Sequence, residues 1–180
     1  KFRSRGKKTR FIMEPLINGV SVTPLKRIYT PKGDVLHALK ASDADYCGFG
    51  EAYFSEAKKG VRKGWKRHRR MKLNIVVVSG AIRFIIYDDR PSSDTRGKFC
   101  SVILSAHGAS FDDCQSMNEC EWFSAIVEKG VYARLTVDPM LWMAFEGVAD
   151  GTSILLDIIP ELHNPEEADK LELSEIEYNL

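Results

Sequence analysis

Two β-branched apolar runs, Ile75–Val78 and Ala81–Tyr87, meet at Ser79 and Gly80, and no other feature narrows the fold of this chain as far. Val and Ile carry two heavy atoms on Cβ, which stiffens χ1 and suits a pleated surface better than a helix. Gly supplies the positive φ that a tight turn requires. The stretch therefore predicts two buried strands joined as a hairpin, with Arg83 the one charge inside the second run. An unpaired buried guanidinium is costly, so Arg83 is expected to face solvent or an anionic ligand.

Directly upstream, Gly60–Lys72 packs Arg62, Lys63, Lys66, Arg67, Arg69, Arg70 and Lys72 around Trp65 and His68. In a strand, Lys66 and His68 lie two positions apart and project to the same face. A cationic strand that feeds a buried hairpin is read as the surface that meets an anion, because Arg and Lys are the residues that hold phosphates. Aromatic residues are not spaced through the run as stacking platforms, so nucleic acid is not expected. Asn74 and Arg83 are candidates to hydrogen-bond the ligand, and Trp65 and Trp142 are secondary candidates to pack against it.

The rest of the chain is written mostly in strands and turns. Asn18–Lys40 breaks short apolar stretches with Pro24, Pro31 and Lys32–Gly33, and Gly50–Ser55, Phe99–Leu104, Tyr132–Val137, Met140–Phe145 and Ile154–Ile159 read as further strands. Between Phe111 and Gly130 a short helix is expected, with Asp112 as N-cap and Gly130 as stop. Many short strands with little helix predict an all-β sandwich or small barrel. The organisation expected is a basic N-terminal arm over 1–17, a barrel over 18–160 and an acidic tail over 161–180 packed on it.

Composition sets outer bounds. With 44% hydrophobic and 28% charged residues, the 180-residue chain reads as a soluble globular protein, with neither disorder nor a membrane class indicated. No apolar run reaches the length of a membrane-spanning helix. Cys47, Cys100, Cys114 and Cys120 form no Cys-x-x-Cys pair, so reduced thiols and a cytoplasmic location are expected. The net charge of +1 conceals cations gathered in the first half and acids in the last twenty residues, an asymmetry that favours an anionic ligand.

The motif order carries a family likeness. Lys32–Gly33, Gly50–Glu51–Ala52–Tyr53–Phe54–Ser55, Lys63–Gly64–Trp65–Lys66–Arg67–His68, Val78–Ser79–Gly80, Tyr87–Asp88–Asp89–Arg90, Leu141–Trp142–Met143–Ala144–Phe145 and His163–Asn164–Pro165 follow one another as in the dTDP-4-dehydrorhamnose 3,5-epimerase family, which the chain resembles from about Asn18 to Tyr178. That resemblance implies a double-stranded β-helix (jelly roll, cupin superfamily), usually a homodimer, with a nucleotide-linked 4-keto sugar in the mouth of the barrel. It also implies chemistry without a metal or organic cofactor: a histidine removes the proton next to the keto group, a tyrosine returns one from the opposite face, and Lys or Arg steadies the enolate.

The chain departs from the family's pattern at its acid and base. Where the family reads Gly-x-His, this sequence has Gly64–Trp65–Lys66, so Lys66 or His68 is the candidate base. In the related sugar-nucleotide 3,4-ketoisomerases the motif resembles Gly-x-His-x-His, and its second histidine corresponds to His68. Where the family's tyrosine precedes Asn-Pro or Ser-Pro, this chain places His163, the candidate acid. Trp142 or Met143 stands near the family's second histidine, so a cupin metal site, which needs several converging histidines, is not expected. The resulting expectation is an epimerase-like protein acting on a nucleotide 4-keto sugar in carbohydrate biosynthesis. A non-catalytic nucleotide-sugar-binding cupin and a 3,4-ketoisomerase are the alternatives. Arg62, Lys63, Arg70 and Lys72 join the residues named above as candidate contacts to the diphosphate and sugar.

Overall fold

The structure, a computed structural model, describes residues 17–178. The basic arm expected over 1–17 lies outside them except for Ile17, which is fully buried. The strands run β1 (Val20–Pro24), β2 (Arg27–Ile28), β3 (Val35–Leu36), β4 (Glu51–Lys58), β5 (Arg62–His68), β6 (Leu73–Ser79), β7 (Ala81–Tyr87), β8 (Phe99–Ala109), β9 (Ala133–Val137), β10 (Trp142–Gly147), β11 (Thr152–Ile159) and β12 (Ala168–Leu171). They form two five-stranded sheets, ordered β1-β9-β6-β11-β4 and β12-β5-β10-β7-β8, plus the small β2-β3 ribbon. The pairings are antiparallel throughout. The all-β jelly-roll expectation is borne out.

The core lies between the sheets, where the period-2 alternation of each strand sends one set of side chains inward. Ile75, Val77, Leu135 and Leu155 from the first sheet meet Ile82, Phe84, Ile86, Val102 and Leu104 from the second. A second apolar cluster sits on the outer face of the second sheet, where Trp65, Ile85, Trp142 and Ala144 pack beneath Leu171, Ile176 and Tyr178.

The expected hairpin is corrected. β6 and β7 do not pair with each other: β6 lies between β9 and β11, whereas β7 lies between β10 and β8 in the opposite sheet. Ser79–Gly80 is therefore a corner at which the chain crosses between sheets. Both strands are apolar on their inward face, and a corner lets both faces contribute to one interior. Gly80 has φ of +70°, and a Cβ there would come within 2.3 Å of Ser153 Oγ. That serine staples the corner, accepting from Ala81 N at 3.1 Å and donating to Ala81 O at 3.0 Å.

The helical expectation holds in place, though not in its cap. Helices α1 (Phe111–Cys114) and α2 (Glu119–Ser124) are capped by Ser110 and Asn118, and a π-helical turn over Ala125–Lys129 ends at Gly130, φ +84°. Asp112 sits inside the first turn of α1, where an acid complements the helix dipole. Trp122 and Ile126 drive this segment into the core.

After β11 the acidic tail folds back on the basic strand. β12 pairs with β5 so that Ala168, Asp169 and Lys170 stand opposite His68, Arg67 and Lys66. No helix among the described residues is long and apolar enough to cross a membrane.

Candidate active site

Alternation along β5 divides its side chains between two environments. Arg62, Trp65 and Arg67 go to the outer face, where Arg62 meets Glu146, Trp65 donates from Nε1 to Ile176 O at 3.2 Å, and Arg67 lies over the Trp142 ring. Lys63, Lys66 and His68 line a cavity of about 480 Å³ between the sheets. A break in register opposite Met143–Phe145 allows Lys63 to share the inward phase. Opposite them, Tyr53 and Ser55 of β4, Leu73 and Ile75 of β6 and Leu155 and Asp157 of β11 form the other wall, and Lys170, Leu171 and Glu172 close a side.

Ion pairing separates the structural cations from those left for a ligand. Arg67 pairs with Asp89 and Asp169, Arg69 with Asp169, Arg70 with Glu161 and Lys72 with Asp138. Among the described residues Lys63, Lys66 and Lys170 have no carboxylate within ion-pair distance, and all three line the cavity. Lys66 and Lys170 stand directly opposite each other across β5 and β12. Like charges in that position are unfavourable in an empty sheet, and an anion between them reverses the sign. Burial, and then the Lys170 charge, hold the Lys66 ammonium below its ordinary pKa, against the opposing pull of Asp157.

His68 is buried in the cavity wall and fixed by a carboxylate. It is 5% exposed, and its Nδ1 lies 2.5 Å from Glu167 Oε2. Glu167 Oε1 in turn accepts from the backbone N–H groups of Arg70 at 2.7 Å and Met71 at 3.0 Å. Burial alone would raise the Glu167 pKa, but these N–H groups and His68 outweigh it and hold the carboxylate ionised. Burial depresses His68 below its usual value despite the Glu167 bond, with Lys66 adding to the depression. An ionised carboxylate can only accept, so the neutral imidazole carries its proton on Nδ1 and leaves the Nε2 lone pair as a proton acceptor.

The opposite wall holds a second polar pair. Asp157, 5% exposed, accepts from Tyr53 Oη at 2.9 Å through Oδ2, while its Oδ1 is buried without a hydrogen-bond partner. Burial pushes the Asp157 carboxyl up to about 7, more than Tyr53 and Lys66 pull it down. Burial also raises the Tyr53 phenol, so it remains a donor.

Several residues singled out by sequence lie elsewhere. Trp65 and Trp142 pack in the outer apolar cluster, where Trp142 Nε1 donates to Asp89 at 2.9 Å; Trp65 also borders the cavity, whereas Trp142 does not. Asn74 is buried on the outer face of the first sheet, accepting from Thr136 Oγ1 at 2.9 Å and donating to Asp45 O at 3.3 Å. Arg83 is half-buried on the outer face of β7, opposite Glu146. Arg62, Arg70 and Lys72 are held in the ion pairs described above and do not line the cavity. His163 is exposed outside the cavity lining, its N–H donating to Glu51 Oε2 at 2.7 Å and its ring edge-on to Tyr53. Tyr53, Asp157, Glu167 and Lys170 were not identified from sequence. The available signal was one acid, Asp157, in the inward phase of a strand that is apolar from Ile154 to Ile159 but for it.

By fold the chain is a cupin, and its likeness is to the dTDP-sugar epimerases, as the motif order indicated. It is 23% identical over 158 residues to the probable low-salt glycan biosynthesis epimerase Agl13 of Haloferax volcanii, across 87% of this chain and 86% of that protein. The crystal structure of a dTDP sugar isomerase from Desulfovibrio desulfuricans G20 matches with a TM-score of 0.70 at 25% identity, over 86% of this chain and 85% of that one. That of dTDP-6-deoxy-D-glucose-3,5-epimerase RmlC from Legionella pneumophila, in complex with dTDP-4-keto-L-rhamnose, shares the fold with a TM-score of 0.67 at 16% identity, over 89% and 76%. No protein-family model matches the chain.

Proposed function

We propose that the protein is a sugar-nucleotide epimerase that removes a proton from the carbon next to the keto group of a nucleotide-linked 4-keto sugar, in glycan or deoxysugar biosynthesis. The observation that carries this reading is the buried His68–Glu167 pair, with its free Nε2, in a cavity whose unpaired cations are Lys63, Lys66 and Lys170. His68 is the base and Glu167 its positioning residue. A carbon acid beside a ketone becomes removable only if the enolate oxygen is met by a donor, and Lys66, on the same face of β5, supplies a cation there. Lys63 and Lys170 are assigned to the diphosphate, which lysine meets as a point charge. The similarity to Agl13 and to dTDP-sugar isomerases supports the substrate class.

The test is incubation of the protein in D₂O with dTDP-, UDP- and GDP-linked 4-keto-6-deoxyhexoses, read by mass spectrometry. Gain of a carbon-bound deuteron in at least one of them is expected. Binding of these sugars without deuterium gain in any of them would replace the epimerase with a non-catalytic binding protein.

A further inference from the structure

Inverting a carbon through an enolate needs a proton acceptor on one face of the sugar ring and a proton donor on the other. His68 projects from the β5 sheet, and the residues facing it across the cavity come from β4, β6 and β11 of the other sheet. Tyr53, Ser55, Leu155 and Asp157 make up that wall together with Leu73 and Ile75, which are both apolar. Ser55 Oγ accepts from Lys63 Nζ at 3.1 Å, and Leu155 is apolar. Asp157 remains, a carboxyl nine-tenths buried, with one oxygen bonded to Tyr53 and the other without a partner.

We propose that Asp157 is the acid that delivers the second proton, from Oδ1, to the sugar carbon on the face opposite His68, and that Tyr53 is its positioning residue. The assignment rests on the epimerase reading of the cavity. The phenol donates to Oδ2, so the proton of the neutral carboxyl resides on Oδ1, the unpartnered oxygen. Burial favours the neutral form near neutral pH. In the forward direction His68 Nε2 takes the carbon-bound proton and the C–H electron pair forms the enolate C=C, leaving negative charge on the keto oxygen beside Lys66. The enolate then collapses to the ketone while its carbon takes the proton from Asp157 Oδ1. Asp157 is left as a carboxylate that still accepts from Tyr53, and His68 as an imidazolium held by Glu167. Exchange of one proton from each with solvent restores the starting state. The groups that face Asp157 are Tyr53 from β4 and Lys66 from β5, and no other described charge bears on it.

The experiment uses the full chain with dTDP-4-keto-6-deoxy-D-glucose in D₂O, with NMR reading deuterium gain and configuration separately. In Asp157→Asn, dTDP binding by calorimetry stays within about threefold of wild type. Deuterium still enters from the His68 face with retention, while inversion falls by at least about 100-fold, the usual effect of losing one general acid. Tyr53→Phe keeps the ring packing and removes the bond that lowers the Asp157 pKa, so the alkaline limb of the inversion rate moves to higher pH. Inversion by Asp157→Asn at the wild-type rate overturns the assignment and leaves the epimerase reading standing. Loss of both exchange and inversion in a variant that still binds dTDP overturns the opposite-face role, and an unmoved alkaline limb in Tyr53→Phe overturns the pairing even if Asp157→Asn does not fold. Absence of any exchange by wild type removes the epimerase reading itself.

Discussion

Lys66 and His68 sit two residues apart on one face of β5, yet their surroundings give them different work. Lys66 has no carboxylate partner and its ammonium pKa is depressed by burial, whereas His68 is neutral, buried and fixed by Glu167. As a base, His68 is active when unprotonated, and its pKa is depressed, so activity rises along a limb that lies below pH 6.5. As an acid, Asp157 is active when protonated, so activity falls as pH passes about 7. A kcat profile with this narrow optimum is the expected outcome, and a plateau extending to pH 9 would contradict the pairing. The buried acid also has a stability consequence. Its folded pKa lies above the unfolded value of about 3.9, so its contribution to stability is fully present below the unfolded pKa and is lost as pH rises towards 7. Asp157→Asn is therefore expected to raise the thermal midpoint at pH 8 and to change it little at pH 4, as scanning calorimetry would show. A fall at both values would mean that the carboxylate is structurally required.

At the scale of elements, the β6–β7 corner and the β12 return set the position of the cavity. Gly80→Ala would place a Cβ against Ser153 at a positive φ, with an expected cost of about 1–3 kcal/mol in urea unfolding. Phe84→Ala, at a core position with no exposure, is expected to cost about 3–5 kcal/mol. The strands were legible because β-branched runs and period-2 alternation are local properties of the chain. Which strands pair was not, since β6 and β7 are apolar on their inward faces whether they form a hairpin or a corner. The same limit explains the cations. Their density in Gly60–Lys72 is plain in sequence, but their partners Glu146, Glu161 and Asp169 lie about a hundred residues away or nearly so, and only the fold brings them together.

On the scale of the whole molecule, the outer face of the first sheet presents Phe54, 67% exposed, beside Leu156 of β11, with Phe49 also exposed. If the protein forms the homodimer that the family resemblance implies, this is the face that we propose it covers, since an exposed apolar patch marks an interaction surface. A dimer in sedimentation velocity that Phe54→Glu converts to monomer is the expected result, and a monomeric wild type would remove the proposal. The jelly roll could be argued from motif order, as could the proposal that β5 faces the ligand. The acid could not, because Asp157 and Tyr53 belong to different strands that meet only across β4 and β11. The most direct test of the account compares wild type with His68→Asn for deuterium entry into dTDP-4-keto-6-deoxy-D-glucose. The account predicts exchange by wild type and a loss of at least about 100-fold in the variant, with dTDP binding retained. Undiminished exchange in His68→Asn, or none in wild type, would contradict it.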